Sequence, residues 1–266
     1  CSVGVSDIPN GGCLCYLNPC GMADFDTVGQ RGFQPRGRPT GMKVRGDREC
    51  QDCGTRWTYY ETGSVECPSC GSLRSVGVDE ERQLHTATAA TLDLTEVQSL
   101  VGEQSLRTVA ERAVETVREF TRGYGFISGG EIQPLDDTYL AAMELRTVAD
   151  TVGRAASVTD DEEAYFLALL SGAADGERPS TEQVPGSLAD SRGLAYAKAV
   201  EEYRDDLRTY LDEHPDETAS DLLGRLRGHV KRALALDGAI STREAETLIE
   251  AARGIGSYVA DGDETA

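Results

Sequence analysis

Residues 50–71 read CQDCGTRWTYYETGSVECPSCG, with two cysteine pairs that each enclose two residues. Thirteen residues separate the two pairs. This spacing is typical of four thiolates that surround one metal ion in a tetrahedron. Gly54 and Gly71 each follow the second cysteine of a pair, where the turn often needs a positive φ. The sequence therefore predicts a metal site made of Cys50, Cys53, Cys67 and Cys70.

The predicted metal is zinc, in a structural role. Four thiolates fill a tetrahedral shell and leave no position for a substrate. A segment of 37 residues, 42–78, is too short to build a sufficient core of its own. Structural zinc contributes an apparent ~10–16 kcal/mol to the folding of such segments. Iron in a rubredoxin-like site is the alternative, although no Glu-x-x-His pair of a di-iron helical bundle precedes any of the three histidines.

The segment around the cysteines predicts a zinc ribbon over residues 42–78. We expect strands over residues 55–60 and 73–78, with a turn at 62–64. By alternation, Trp57 and Tyr59 share one face of the first strand, and Thr58 and Tyr60 share the other. One face is a candidate contact surface for a partner. The candidate contact residues are Arg56, Trp57 and Tyr60, together with Arg45 and Arg74. The alternative is that the aromatic rings form a small core beside Val65, Leu73 and Val76.

The same segment carries a resemblance. Residues 42–77, MKVRGDRECQDCGTRWTYYETGSVECPSCGSLRSVG, resemble a family of uncharacterised haloarchaeal proteins with a zinc ribbon of the transcription-initiation-factor-B type. The resemblance implies zinc at the four cysteines and a cytoplasmic setting. Initiation factors of that type continue with two helical cyclin-like repeats and bind promoter DNA. The rest of this chain has no visible repeat and is acidic, which argues against promoter binding.

Apolar residues recur at helical spacing through most of the remaining chain. Five stripes lie within residues 106–120, 141–152, 200–211, 222–234 and 245–259, and a shorter apolar piece covers 165–170. Thr159 with Glu162 and Ser241 with Glu244 fit the capping box that begins a helix. Each stripe must bury its face against another helix. The predicted fold is therefore mainly α, with a small β zinc ribbon followed by an acidic helical bundle.

Charge divides the chain unevenly. The net charge is −20, and residues 79–266 hold 38 acids and 18 bases, so they carry all of it. At molar salt the Debye length is only about 3 Å, which screens the repulsion among such carboxylates. We interpret the composition as that of a halophilic, cytoplasmic protein. No run of about 18 apolar residues predicts a transmembrane helix, so no membrane association is expected.

Four segments follow from these patterns. Residues 1–41 are net neutral and rich in glycine and proline, which favours a disordered leader or a gene-model extension ahead of Met42. Residues 42–78 are the ribbon, 79–100 a polar linker and 101–266 the helical bundle domain. The leader holds Cys1, Cys13, Cys15 and Cys20, whose spacing matches no ligand pattern and to which no role is assigned.

The function that the sequence favours is binding rather than catalysis. The residues show no nucleophile elbow, no His-Glu-x-x-His and no dinucleotide fingerprint. We expect a zinc-binding adaptor, associated with transcription or another nucleic-acid process, that contacts a protein or nucleic-acid partner through the ribbon. The alternative is an assembly scaffold in which the ribbon is purely structural, and an enzyme with an unrecognised active site among the helices ranks third.

Overall fold

Helices make up most of the chain after the ribbon in the computed structural model, which describes residues 41–261. The predictions for the leader and its four cysteines concern residues outside this range, apart from Gly41. The ribbon contains one short helix, α1 (Tyr59–Thr62). Within the described residues, the bundle consists of α2 (Thr95–Ser99), α3 (Leu106–Gly123), α4 (Asp137–Arg154), α5 (Asp160–Gly172), α6 (Ala189–Leu211), α7 (Glu217–Ala235) and α8 (Thr242–Asp261).

Local signals in the sequence set where these helices begin. The side chain of Asp136 accepts a hydrogen bond of 2.6 Å from the backbone N–H of Tyr139 at the start of α4. The capping box predicted at Thr159 and Glu162 is confirmed at the start of α5. Because these caps satisfy backbone N–H groups that have no partner inside the helix, each fixes the point at which the helix starts.

The core lies around α4 and α6. Helix α4 packs against α3, α5 and α6, and α6 packs in turn against α7 and α8. Leu140 and Leu145 of α4 and Val200 of α6 are completely buried. The predicted fold class, a small β ribbon followed by a helical bundle, is confirmed. Among the helices of residues 41–261, none is long and apolar enough to span a membrane.

The ribbon contains a three-stranded antiparallel sheet. Its strands are β2 (Asp47–Cys50), β3 (Arg56–Thr58) and β4 (Ser75–Gly77), in the order β3-β2-β4. Glu49 at the centre of the sheet faces Arg56 on one side and Val76 on the other. A second antiparallel pair joins β1 (Met42–Val44) to β5 (Gln83–His85).

The predicted strand over residues 55–60 is too long. It ends at Thr58, and α1 follows as a single helical turn. The Thr58 side chain accepts from the Tyr60 N–H at the start of this turn, and Gly63 ends it with φ 61°. Tyr60 therefore does not continue the alternation of the strand, and the predicted pairing of faces fails after Thr58. The predicted strand over 73–78 is also shorter, since β4 covers Ser75–Gly77.

Residues 79–100, predicted as a polar linker, are more ordered than their composition indicated. They contain β5 and α2, and Leu84, Leu94 and Val97 are buried in the core. Beyond α3, the hairpin of β6 (Ile127–Ser128) and β7 (Glu131–Ile132) lies against β5. Backbone hydrogen bonds of 2.9 Å from Thr86 to Ile127 and 2.8 Å from Gly130 to Leu84 connect this segment to the hairpin. Because β1 of the ribbon pairs with β5, main-chain hydrogen bonds connect the ribbon through β5 to this hairpin.

Candidate metal centre and basic groove

The two cysteine pairs form turns with the same backbone hydrogen bonds. In the first turn, the Gly54 N–H donates to the Cys50 carbonyl at 3.0 Å, and in the second the Gly71 N–H donates to the Cys67 carbonyl at 2.9 Å. Gly54 and Gly71 have φ of 73° and 70°, so the predicted need for glycine is confirmed at both positions. The Gln51 N–H donates to the Arg74 carbonyl at 2.8 Å, which connects the first turn to the segment after the second.

The four sulfur atoms lie close enough together to hold one metal ion. All of them are within 4.8 Å of one another. Sγ of Cys50 is 3.6 Å from that of Cys70, and Sγ of Cys53 is 3.6 Å from that of Cys67. Four sulfurs at about 2.3 Å from a tetrahedral zinc would be about 3.8 Å apart. The arrangement therefore fits a tetrahedral metal site of thiolates.

The proximity of the thiols affects how readily each one ionises. Hydrogen bonds from the side chain and backbone of Thr55 lower the pKa of Cys53 to about 6. The Ser72 backbone lowers the pKa of Cys70, but hydrogen bonding with the other thiols and desolvation outweigh it and raise this pKa to about 12. Ionisation of Cys53 is thus favoured while that of Cys70 is disfavoured. A bound cation would favour the thiolate form of all four cysteines.

The ribbon lacks an apolar core. Within residues 42–78, the buried residues are Gly46, Cys50 and Cys67. Leu73 is 71% exposed, so the alternative in which it forms a small core with the aromatic rings is wrong for this side chain. Val65 and Val76, the other aliphatic members of that predicted core, are exposed as well. Two of the three buried residues are cysteines of the cluster, so a metal ion held there could supply the stability that hydrophobic contacts usually provide.

The sequence model of the DUF7117 family matches residues 42–266, from the first strand of the ribbon to the end of the chain. The chain belongs to this family. DUF7117 is described as a family of unknown function. No curated protein and no solved structure matches the chain. The function of this DUF7117 protein is therefore inferred from its own residues.

Two of the predicted contact arginines are already engaged in ion pairs. Arg56 lies 2.6 Å from Glu49 across the sheet, and Arg74 lies 2.9 Å from Asp52 beside the first cysteine turn. All four side chains are substantially exposed, so these pairs contribute little to stability. They do, however, neutralise the charge that each arginine would offer to an anionic partner.

The predicted contact aromatics bond within the ribbon and its junction with the helical body. The Trp57 indole N–H donates to the Ser64 carbonyl at 3.1 Å, and the Tyr60 hydroxyl donates to the Val44 carbonyl at 3.1 Å. The Tyr60 ring lies 5.0 Å from the ring of His85. It also lies so close to Gly46 that a Cβ there would be 2.0 Å from the ring. Tyr60 is therefore part of the contact between ribbon and body, and a role in partner binding stays a prediction.

A groove opens beside the remaining predicted contact residue, Arg45. Its charged lining residues are all basic, and this "basic groove" is defined by Lys43, Arg45, Arg48 and Arg82 with the ring of Tyr59. Met42, Val44, Val65 and Gly77 complete the lining, in a volume of about 410 Å³. Sequence reasoning missed Arg82 and the groove itself, because the lining comes from segments up to 40 residues apart that only the β1–β5 pairing brings together.

A buried ionic network inside the bundle was also missed. Glu144 of α4 is fully buried and lies 3.6 Å from the guanidinium of Arg192 on α6. The hydroxyls of Tyr165 and Tyr196 donate to the Glu144 carboxylate. Arg192 also pairs with Glu246 of α8 at 2.7 Å. The signal in the sequence was a glutamate within the apolar stripe 141–152. Because Glu144 and Arg192 are closed to solvent, their charges act inside the bundle, where this network joins α4, α5, α6 and α8.

Proposed function

We propose that this protein is a zinc-binding adaptor that contacts its partner through the ribbon. The observation that carries the proposal is the basic groove on a chain of net charge −20. A basic groove at the edge of a metal-stabilised module favours association with an anionic partner, since opposite charges steer encounter and set orientation.

Zinc is the metal that the ligand set favours. Thiolates are soft ligands, and a closed tetrahedron of four of them suits zinc, which needs no open position in a structural site. Iron in a similar set of cysteine turns is the rival, and it would give the protein a visible colour. The ligands proposed for the metal are Cys50, Cys53, Cys67 and Cys70 in either case.

The link to a nucleic-acid process rests on the resemblance of the ribbon to those of the initiation-factor-B type. We also propose a cytoplasmic protein that works at high salt, on the basis of its many carboxylates. The proposed contact residues are Arg45 in the groove, with Arg56, Trp57, Tyr60 and Arg74 on the surfaces around it.

A second candidate function is an assembly scaffold in which the ribbon only caps the helical body. The contacts that fasten the ribbon favour it: β1 pairs with β5, and Lys43 of β1 pairs with Glu213 at the end of α6 at 3.0 Å. A module held this firmly can serve the stability of the body alone. In that case partners bind the helical surface and ignore substitutions in the ribbon.

A pull-down with the tagged full-length chain from its native lysate at molar KCl, with and without nuclease, tests the two candidates. The ribbon variant is Arg45→Glu with Arg74→Glu, and the matched control is Arg225→Glu with Arg227→Glu on the exposed side of α7. The adaptor function predicts that the ribbon variant loses its partners while the control keeps them. If the control loses its partners while the ribbon variant keeps them, the scaffold function is supported and the adaptor proposal is wrong.

A further inference from the structure

The arginines of the basic groove differ from the other arginines of the ribbon in their pairing. Arg56 and Arg74 each have a carboxylate within 3 Å. Arg45 and Arg82 are exposed and form no ion pair with any residue of the part of the chain that the structure describes. Their positive charge is therefore not balanced by a neighbouring carboxylate of this part of the chain, whereas that of Arg56 and Arg74 is.

The other two basic residues are held in place at the groove. The Arg48 guanidinium donates to the Ser75 hydroxyl at 3.1 Å and to the Ser75 carbonyl at 3.2 Å. These acceptors are neutral, so the charge of Arg48 is not cancelled. Lys43 is the exception, since it pairs with Glu213. The groove thus offers three uncompensated guanidinium groups.

Gly77 contributes to the position of Arg45. A Cβ at this position would lie 2.7 Å from the Cβ of Arg45, which is closer than real Cβ atoms approach. The absence of a side chain lets the stem of Arg45 cross β4 and sit at the groove. Because the stem lies against the backbone of Gly77, it has fewer conformations to lose when Arg45 binds a ligand.

The aromatic member of the groove indicates the class of ligand. Tyr59 is half-buried, and its ring lines the same groove as the guanidinium groups. Guanidinium groups that bind phosphates beside an aromatic ring that stacks on a base are the combination found in sites for single-stranded nucleic acid. An acidic peptide would use the arginines but gain little from the ring.

Resting on the proposed function, and naming the partner for it, we propose that the basic groove binds a short stretch of single-stranded nucleic acid. Arg45, Arg48 and Arg82 contact phosphates, and the Tyr59 ring stacks on a base. The contact is local, because the charge of the rest of the chain is negative. The groove is positively charged and phosphate is negatively charged, which is why the strand binds at this site.

Fluorescence anisotropy with a labelled 12-nucleotide oligothymidylate and the full-length chain tests this proposal across a KCl series. The groove variant is Arg45→Ala with Arg82→Ala, and the matched control is Arg225→Ala with Arg227→Ala, which removes the same charge from the exposed side of α7. We expect the groove variant to bind at least about tenfold more weakly. Its slope of log K against log [KCl] should be less negative by about 1.4, since each lost phosphate contact on a single strand accounts for about 0.7. The control should change affinity less than about twofold.

Tyr59→Ala should weaken binding by about tenfold without changing the salt slope, because stacking releases no counterions. Far-UV circular dichroism and metal content identical to the parent chain establish that each variant is folded. Absence of saturable binding, or equal losses in the groove and control variants, overturns the proposal. If the oligonucleotide fails but the groove variant loses nuclease-resistant protein partners in the pull-down, the groove is a protein site. The nucleic-acid proposal is then wrong while the adaptor function stands.

Discussion

The hydroxyl of Thr86 donates a hydrogen bond of 2.8 Å to the carboxylate of Asp206, which is 120 residues further along the chain. The same carboxylate accepts from the backbone N–H of Phe126 at 2.6 Å. Asp206 is buried on α6, and it therefore connects the segment after β5, the β6–β7 hairpin and the bundle at one point.

Replacing Asp206 with alanine should lower the free energy of unfolding by about 1–3 kcal/mol for each buried donor that it leaves without an acceptor. Urea unfolding followed by circular dichroism measures the change. Asp221→Ala on the exposed face of α7 is the matched control and should stay within about 0.5 kcal/mol of the parent. Equal stability of the two variants would show that the Asp206 contacts contribute nothing to the fold.

The buried pair of Glu144 and Arg192 gives a second stability prediction. Arg192→Met should cost about 3–5 kcal/mol, since it leaves a fully buried carboxylate without its cation. Adding Glu144→Gln should restore part of the loss by removing that charge. Arg154→Met, at an exposed pair with Asp150, is the control and should cost less than about 1 kcal/mol. If the double variant loses more unfolding free energy than the two single variants lose together, this account is contradicted.

Metal removal should unfold the ribbon and leave the helices in place. Trp57 is the one tryptophan of the chain and lies in the ribbon, so its fluorescence reports on this module alone. We expect a strong chelator, or Cys67→Ser, to shift its emission to the red while the helical circular dichroism falls only slightly. The reason is that the ribbon lacks an apolar core, whereas the helices have one. Unchanged Trp57 emission in the metal-free protein would refute this expectation.

Burial lowers the pKa of His85 below its ordinary value. The unfolded chain then binds a proton at His85 more readily than the folded chain, so stability is lost as the pH falls from about 7 through about 6.5. His85→Gln should therefore show a weaker fall in unfolding free energy between pH 7 and the folded pKa. His229→Gln, at an exposed position, is the matched control. Equal slopes in all three proteins would argue against a buried neutral imidazole.

The helices and the cysteine cluster were predictable because their signals are local. The stripe of 106–120 and the capping box at Thr159 need only a few neighbouring residues, and the same holds for the cysteine turns with their glycines. The turn at Tyr59–Thr62 was missed although Thr58 and Gly63 cap it, because aromatic and β-branched residues there favour a strand.

The rest depends on contacts between distant segments. Residues 83–86 look polar, yet Leu84 and Thr86 are buried because β5 pairs with β1 and the next residues bond to the β6–β7 hairpin. The basic groove likewise needs Arg45 and Arg82 on one surface, and Glu144 needs Arg192 from another helix. A periodic pattern within one segment cannot predict such pairings between segments.

Native mass spectrometry of the purified full-length chain tests the central claim, a ribbon stabilised by one zinc ion, most directly. The account predicts one zinc ion per chain, lost when Cys50 or Cys67 is replaced by serine. A chain that is folded in the ribbon without metal, or one that carries iron at these cysteines, would contradict it.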